Sequence, residues 1–379
     1  MKIAMIGQKG MPATHGGVER HVHELSLRLV KLGQQVTVYS RPWYTQMTDG
    51  QIEGVEIKHL PSINTKHLDT ITHSFLATLD AITKGFDIIH YQGVGPSLVS
   101  FLPRLLAPHI RVITTFHSMD RKHEKWNWFA RLILKIAEWT ACHFSHETIA
   151  VSRTIEQYCR DVYDRQAVYI PNGVPLYEKK EDTTALAPWG LEKDKYLLTV
   201  SRLIPVKGIQ YLIKAFRQLP TDLRQKYKLV IVGDGYHTDE YVRKLKQLAS
   251  GESQIVFTGW QAGETLAALY SQAHLLIHPS DIEGLPITVL EAMSYELPVL
   301  LSDIPEHREL ENQSQYLFTH GQVDVLTKKL EKILRLDDAI LKEHGAYNRA
   351  KIENHYSWSD IVQEMNKIYQ APILAPRAI

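Results

Sequence analysis

Residues 196–219 read YLLTVSRLIPVKGIQYLIKAFRQL, and this stretch decides the fold class. The apolar run at 196–201 predicts a buried strand, and residues 209–219 have the apolar spacing of a helix that packs on that strand. Short apolar runs followed by helical segments recur along the chain in the same way. This alternation predicts an α/β protein whose parallel sheets are covered by helices on both faces.

The predicted strands fall into two groups separated by a polar segment at 178–184. The first group contains 3–6, 36–40, 55–60, 87–91, 111–116 and 148–152; the second contains 196–201, 228–232, 255–258, 274–278 and 299–302. We therefore predict two doubly wound, Rossmann-like domains facing across a cleft, at 1–175 and 176–355. An amphipathic helix at 356–370 is expected to complete the first domain.

Composition excludes several classes of protein. A chain of 379 residues is too long for one ordinary core. Its 43 Lys and Arg against 42 Asp and Glu give a formal charge of +1, so we expect no nucleic-acid partner. The 2 cysteines and the immediate start of a strand, without a signal-peptide core, favour a cytoplasmic protein.

A glycine-rich loop follows the first strand, from Gly7 to the pair Gly16-Gly17, and helical apolar spacing begins at Val18. Glycine lets backbone N–H groups approach a phosphate, and a helix N-terminus favours an anion. The loop does not match G-x-G-x-x-G, so a nicotinamide cofactor is disfavoured. The alternative is a glycine-rich turn without a ligand.

Two cations flank the turn after strand 196–201. Arg202 follows the strand, and Lys207 precedes Gly208 at the predicted start of the next helix. Arg offers a planar fork and Lys a mobile charge, so together they suit a diphosphate. The alternative is a pair of surface cations near a turn, although cations at a helix start are unfavourable without an anion.

Two glutamates eight positions apart follow the strand 274–278. Glu283 lies in a loop and Glu291 lies within an apolar helical run. A buried carboxylate needs a partner, and sugar or ribose hydroxyls would serve. An internal salt bridge or a helix cap is the alternative, and the residues themselves leave both interpretations open.

Taken together, these motifs resemble the large retaining glycosyltransferase family 4, which has the GT-B fold. The resemblance runs from the first strand to about Asp303 and rests on Gly16-Gly17, Ser201-Arg202-Leu203 with Lys207-Gly208, and Glu283-Gly284-Leu285-Pro286 with Glu291-Ala292-Met293. Phe116-His117 and Pro171-Asn172-Gly173-Val174 also fit. The family often has Phe-Gly where this chain has Leu285-Pro286. The N-terminal segment is further similar to bacterial enzymes that build surface polysaccharides.

The resemblance implies a role for each matching residue. Arg202 and Lys207 would bind the diphosphate, Glu291 the ribose and Glu283 the hydroxyls of the transferred sugar. His117 would lie beside the donor sugar; the alternative is a structural histidine at a strand end. The backbone amide of Gly17 would reach the diphosphate from the opposite domain. The implied catalytic set is His117, Arg202, Lys207 and Glu283, and the donor-binding set adds Gly16, Gly17, Asn172, Gly284, Leu285, Pro286 and Glu291.

The implied function is retaining transfer of a hexose-type sugar from a nucleotide-diphosphate donor to a glycan or lipid-linked acceptor, in polysaccharide biosynthesis. No cofactor is expected beyond the nucleotide sugar, which is a substrate. No metal is expected either, because the sequence lacks an Asp-x-Asp element and the rings of His21 and His23 would point apart on a helix. The alternatives are a nucleotide-sugar epimerase of GT-B-like fold and a non-catalytic nucleotide-sugar-binding protein.

The segment 121–136 mixes cations with tryptophan and long aliphatic side chains. This composition is typical of a helix at a membrane surface, which would give peripheral contact with the inner face of the membrane. In the alternative interpretation the segment is an ordinary amphipathic helix, with Trp128, Leu132 and Ile136 packed inward.

Overall fold

The computed structural model describes residues 1–45, 48–65, 68–122, 127–235 and 238–372. The chain folds into two compact units. One contains Met1–Asn172 together with the C-terminal segment that begins at Trp358, and the other contains Gly173–Ser357. Each unit has one largely parallel sheet with helices packed against it, so the predicted α/β architecture with two Rossmann-like domains is confirmed.

The first unit contains an eight-stranded sheet in the order β3-β4-β2-β1-β5-β6-β7-β8, in which β3 alone is antiparallel to its neighbour. Its strands are β1 (Lys2–Ile6), β2 (Gln35–Ser40), β3 (Gly50–Ile52), β4 (Val55–His59), β5 (Ile88–Gln92), β6 (Arg111–Phe116), β7 (Glu147–Ala150) and β8 (Val168–Tyr169). Its first five helices are α1 (Gly17–Lys31), α2 (Asp69–Thr83), α3 (Phe101–Leu106), α4 (Trp128–His143) and α5 (Arg153–Tyr163).

The second unit contains a six-stranded parallel sheet in the order β11-β10-β9-β12-β13-β14. Its strands are β9 (Tyr196–Val200), β10 (Lys228–Val232), β11 (Ile255–Gly259), β12 (Leu275–His278), β13 (Val299–Ser302) and β14 (Leu317–Phe318). Its helices are α6 (Ile209–Gln218), α7 (Thr221–Lys226), α8 (Asp239–Ala249), α9 (Gly263–Ser271), α10 (Ile287–Ser294), α11 (Pro305–Leu310), α12 (Val323–Leu334) and α13 (Asp338–His355).

The central strands of both sheets are buried on both faces, which explains the nearly continuous apolar sequences of β1 and β9. Every residue of β9 is buried, as is every residue of β5 and β6. In the second unit, α6 packs its apolar side on the six-stranded sheet through Ile209, Leu212, Ile213 and Phe216. The loops at the carboxyl ends of the strands are thereby held on a rigid base.

The last helix, α14 (Trp358–Gln370), belongs to the core of the first unit. Its buried side chains pack with residues of α1 and of the central strands: Trp358, Ile361, Val362, Met365 and Tyr369. The Tyr369 hydroxyl also forms a 2.7 Å hydrogen bond with Nδ1 of the buried His90 in β5. The C-terminal helix therefore supplies both apolar and polar contacts to this core.

Helix α4 has its large apolar side chains on the outside. Trp128 is 77% exposed, Leu132 47% and Ile136 46%, so the interpretation with these three side chains packed inward is wrong. The helix packs instead through small residues and Glu138, whose carboxylate accepts hydrogen bonds from Arg121, Tyr158 and Tyr163. Within the predicted segment 121–136, residues 123–126 lie outside the described residues.

Among the described residues, the structure has no helix with both the length and the apolar character that crossing a membrane requires.

Candidate functional site

Two loops at the carboxyl ends of β9 and β12 are held together in the second unit. The N–H of Asp281 donates to the carbonyl oxygen of Val206 over 2.8 Å. Gly208, at the start of α6, has φ 68°, and a Cβ there would lie 2.0 Å from the carbonyl oxygen of Pro279. Only glycine allows this approach, which brings the loop of Lys207 against the loop of Glu283.

Lys207 and Glu283, predicted to bind different parts of one ligand, bind each other. The Nζ of Lys207 lies 2.5 Å from Oε1 of Glu283, and their side chains are 15% and 8% exposed. The alternative of an internal salt bridge for Glu283 is therefore what the structure contains, and its partner is another predicted site residue. Each charge is compensated at a position where an unpaired charge would be costly.

A buried histidine is the second partner of Glu283. Nε2 of His278, the last residue of β12, lies 2.8 Å from the same Oε1. Burial alone would raise the pKa of Glu283, but the Lys207 ammonium and the His278 hydrogen bond outweigh it and hold the pKa well below its ordinary value. The carboxylate is therefore ionised at neutral pH.

His307 in α11 is a neighbour of His278, and the centroids of the two rings are 5.4 Å apart. Burial lowers the pKa of His307 to about 3, so its ring is neutral. His278, Glu283 and His307 are close enough to hold a metal ion. Because Lys207 already donates to Oε1 of Glu283, a cation bound there would be placed beside an ammonium group, which opposes its binding.

The rest of the predicted loop lines the same region as a buried segment. Gly284, Leu285 and Pro286 are all buried between β12 and α10. Glu291 lies in the helix that follows this segment, α10, and is half-buried. The hydroxyl of the buried Tyr270 donates a hydrogen bond to Oε2 of Glu291 over 3.2 Å.

Arg202 differs from Lys207 in its surroundings. Its side chain is exposed at the end of β9, whereas Lys207 is largely enclosed. Within the part of the chain that the structure describes, the Arg202 guanidinium has no hydrogen-bond or ionic partner. The structure thus pairs Lys207 with Glu283, whereas the exposed Arg202 forms no ion pair with Glu283.

In the first unit, the glycine-rich loop ends at the N-terminus of α1. Gly16 is the N-cap, with φ 105°, and a Cβ there would lie 1.9 Å from Oε2 of Glu19. The other oxygen of Glu19 accepts the backbone N–H of Lys9 over 3.0 Å. Gly17 is exposed as the first helical residue. The loop is thus fixed on α1 by a carboxylate that only a glycine at position 16 accommodates.

Tyr44 holds the other side of this loop. Its hydroxyl accepts the backbone N–H groups of Thr14 and His15 at 3.0 Å each and donates to the carbonyl oxygen of His15 over 2.7 Å. A single side chain thereby satisfies three backbone groups. The loop conformation is set by protein contacts, which is the preorganisation that a ligand-binding loop needs.

His117 and Asn172 approach a common neighbour, His21 of α1. The rings of His21 and His117 are 4.9 Å apart in an edge-to-face arrangement, and Nε2 of His117 donates to Oε1 of Gln92 over 3.0 Å. Burial lowers the pKa of His21 to about 4, and the neighbouring Asn172 offsets only part of this. Burial, then His21 and His90, also hold the pKa of His117 well below its ordinary value, so both rings are neutral.

Sequence reasoning missed four residues of these two regions: His21, Tyr270, His278 and His307. A signal existed for two of them, because His278 ends β12 and His307 follows the adjacent strand β13. Side chains at the carboxyl ends of neighbouring parallel strands converge at one edge of a sheet. Tyr270 and His21 lie in helices and had no such signal.

Two protein-family models match the chain one after the other. The model described as "Glycosyltransferase Family 4" matches residues 15–178, and the model described as "Glycosyl transferases group 1" matches residues 182–358. The first match contains Gly16, Gly17, His117 and Asn172. The second contains Arg202, Lys207, Glu283 and Glu291. The two matches together cover most of both structural units, without β1 and nearly all of α14.

Individual proteins give the same result. An uncharacterized glycosyltransferase from Methanocaldococcus jannaschii is 26% identical and aligns with 98% of each chain. The serotype-specific mannosyltransferase WbdA of Escherichia coli is 30% identical over 44% of this chain, a match that spans 20% of that enzyme. The solved structure of HepE from Anabaena, in complex with UDP and glucose, has a TM-score of 0.80 at 19% identity and covers 97% of this chain and 99% of its own. At that identity the likeness shows a shared fold.

Proposed function

Because this chain belongs to the glycosyltransferases of GT-B fold, with a family 4 domain followed by a group 1 domain, we propose that it is a retaining hexosyltransferase. Its donor would be a nucleotide-diphosphate sugar and its acceptor a glycan or a lipid-linked saccharide in polysaccharide biosynthesis. The likeness to a mannosyltransferase and to a structure containing UDP and glucose supports the class of donor. The family domains do not favour the epimerase or the non-catalytic alternative.

The pairing of Lys207 with Glu283 is the observation that carries the proposal. A nucleotide sugar has an anionic diphosphate next to a ring of neutral hydroxyls, and this pair offers a cation and an anion 2.5 Å apart. The Lys207 ammonium has three N–H donors, of which one is directed at Glu283. The other two suit diphosphate oxygens, while the ionised carboxylate suits sugar hydroxyls.

Retention is proposed to follow from attack on the same face from which the diphosphate departs. The leaving diphosphate accepts the proton of the acceptor hydroxyl, so the protein supplies positioning and charge stabilisation rather than a nucleophile. Lys207 and the exposed Arg202 would neutralise the charge that develops on the diphosphate. Glu291 would bind the ribose, and the neutral ring of His117 would lie beside the donor sugar.

This scheme assigns no step to a cofactor or a metal ion. In enzymes that bind a diphosphate through Mg²⁺, the metal neutralises the oxygens of the leaving group. The two cations at the end of β9, Arg202 and Lys207, would have that function here. The nucleotide sugar is consumed as a substrate.

The exposed face of α4 supports a further part of the proposal, a peripheral contact with a membrane surface. Five large apolar side chains of this helix are exposed: Trp128, Phe129, Leu132, Ile136 and Trp139. The cations Arg131 and Lys135 are exposed on the same helix, and its only acid, Glu138, is buried. An apolar face flanked by cations and free of exposed acids suits an anionic lipid surface, where a lipid-linked acceptor would be found.

The proposal is tested by measuring thermal stability with a panel of nucleoside diphosphates and their sugars. A ligand present at 100 times its Kd should stabilise the protein by about 2.7 kcal/mol. The donor that stabilises best is then incubated with acceptor glycans, and the anomeric configuration of the product is determined by NMR. We expect a product with the configuration of the donor. Inversion would contradict the mechanism, and a panel without any stabilising nucleotide would contradict the proposed function.

A further inference from the structure

The two carboxylate oxygens of Glu283 differ in their hydrogen-bond donors, and Oε1 has two of them. Lys207 Nζ and His278 Nε2 lie 2.5 and 2.8 Å from Oε1. For Oε2, the described residues provide no donor. The carboxylate is therefore held through Oε1. Its Oε2 can accept a hydrogen bond from a hydroxyl group of a ligand.

His278 is held in place more rigidly than Lys207. It ends the buried strand β12, its side chain is 1% exposed, and its neighbour in the sheet is Leu301 of β13. The ring of His307 meets it edge-to-face, and His307 is itself fixed by Nδ1, which lies 2.8 Å from the carbonyl oxygen of Ser302. A short side chain on a sheet loses little freedom when it forms this bond, unlike the flexible stem of lysine.

The side chain of His278 brings an unsatisfied polar atom into the core. Within the described part of the chain its Nδ1 is buried without a hydrogen-bond partner, and so is Nε2 of His307. Buried polar atoms of this kind are unfavourable, and an apolar residue at the end of a central strand would avoid them. Among the described residues, Glu283 is the hydrogen-bond partner of the His278 side chain.

We propose that His278 is a positioning residue for the donor sugar, acting through Glu283. His278 holds Oε1 of Glu283 in place so that Oε2 can accept a hydrogen bond from a hydroxyl of the transferred sugar. Lys207 also binds Oε1, and its two remaining N–H groups are then available to the diphosphate. This inference rests on the proposed function, because it assumes that Glu283 binds the sugar of a nucleotide-sugar donor.

If His278 has this role, its replacement should weaken binding of the sugar part of the donor more than binding of the diphosphate part. Replacing His278 with leucine removes one of the two donors to Oε1 of Glu283, leaving Lys207, and fills a similar volume. Affinity for the nucleotide sugar and kcat/KM should fall about 10- to 100-fold, the range expected for a lost hydrogen bond to a charged group. Affinity for the nucleoside diphosphate without its sugar should change less than about threefold, because the diphosphate does not contact Glu283. A purely structural role would weaken both ligands equally.

Two further variants serve as controls. Glutamine in His278→Gln places an N–H donor at about the reach of Nε2 and should restore most of kcat/KM. His274→Leu replaces another buried histidine, which directly precedes β12 at the opposite end of the strand and makes a tilted ring contact with Tyr227. This variant should leave kcat/KM unchanged. If His278→Leu does not fold, His278→Asn takes its place, because its shorter amide does not reach Glu283.

The ligands in these measurements are the nucleotide sugar and nucleoside diphosphate that stabilise the wild-type protein best, used with the full chain. Wild-type kcat/KM in His278→Leu would overturn the positioning role, and so would an equal loss of affinity for both ligands. Failure of His278→Gln to exceed His278→Leu would also overturn it. If the wild-type protein binds no nucleotide at all, the proposed function itself fails, which is a distinct result.

Discussion

The ammonium of Lys207 lies 2.5 Å from the carboxylate of Glu283, although 76 positions separate the two residues in the sequence. The contact exists because Gly208 allows the start of α6 to approach Pro279 and because Asp281 bonds to Val206. The cation proposed for the diphosphate is therefore positioned by the anion proposed for the sugar. Replacing either side chain is therefore expected to change the ionic environment of the other.

Replacing Lys207 with alanine should lower kcat by about 10²–10³, the scale for losing one preorganised charge-stabilising group. It also leaves Glu283 with only His278 as a donor to Oε1. The measurement is steady-state transfer with the best donor, together with thermal unfolding to show that the fold is retained. Lys214→Ala is the matched control, since Lys214 is exposed on the same α6. Near-normal turnover by the Lys207 variant would refute its role.

Glu283→Gln should separate sugar recognition from diphosphate binding. The neutral amide releases Lys207 from its ion pair, so affinity for a nucleoside diphosphate should stay equal or increase, while kcat/KM for transfer should fall about 100-fold. Calorimetric titration and transfer rates measure the two effects. Glu264→Gln, an exposed carboxylate in α9, is the comparison. Weaker binding of the diphosphate in Glu283→Gln would mean that the carboxylate does not compete for Lys207.

Gly16→Ala should impair the glycine-rich loop beyond the effect of backbone strain. Its Cβ would displace the Glu19 carboxylate, which holds Lys9. Gly33→Ala is the control: its φ of 82° is also strained for alanine, but its Cβ would meet nothing within 4 Å. We expect both variants to lose stability, and kcat/KM to fall about tenfold or more in Gly16→Ala alone, as for a misplaced binding group. Equal activity in the two variants would show that the loop has no role in donor binding.

The stability of the folded chain should fall in acid because of buried neutral histidines. Burial, and then the charge of His21, lowers the pKa of His90 to about 3 from its ordinary 6.5. Between these values the unfolded chain binds a proton that the folded chain does not. The contribution is therefore fully present above about pH 6.5 and decreases by about 1.4 kcal/mol per pH unit as the pH falls toward 3.

Urea unfolding of His90→Gln between pH 7 and pH 4.5 tests this. The variant should be less stable at pH 7, because it loses the bonds to Tyr369 and Thr115, but its stability should depend less steeply on pH. His109→Gln, at an exposed position, should keep the wild-type slope. An unchanged slope in His90→Gln would mean that this ring is not the group that titrates.

The face of α4 should bind vesicles that contain anionic lipid. Replacing Leu132 and Ile136 together with serine removes two exposed apolar side chains and should weaken co-sedimentation about tenfold or more. Removing the charges of Arg131 and Lys135 should reduce the dependence of binding on salt. Ile340→Ser, an equally exposed apolar residue in α13, is the control.

Wild-type protein that does not sediment with anionic vesicles at low salt would exclude the membrane contact. Equal binding to zwitterionic and anionic vesicles would instead leave only the apolar part of the argument.

The strands with strong apolar patterns were predictable from the sequence, and β1, β9 and β10 lie where the pattern placed them. The missed strands are β3, β8 and β14, which have two or three residues each. They lie at sheet edges, where pairing depends on a neighbour rather than on an apolar run. Local pattern alone does not distinguish them from loops.

The orientation of α4 could not be decided from the sequence, which left an exposed and an inward-packed apolar face as alternatives. Its apolar positions have the spacing of a buried face, yet the core contacts come from Ala137, Glu138 and Ala141 on the other side. A helical pattern identifies an apolar face without stating what covers it. Similarly, motif spacing marked Lys207 and Glu283 separately, but their contact depends on the approach of two loops in space.

Helix α14 makes the first unit discontinuous in the sequence. During synthesis on the ribosome, residues 1–172 emerge long before Met365 and Tyr369, which complete the core beside α1. Tyr369 also supplies the hydrogen bond to His90. The apolar groove that receives α14 stays unfilled until the entire second unit has been translated. We therefore expect the first unit, although it is synthesised first, to be completed after the second, and premature termination near the C-terminus would leave its core without α14.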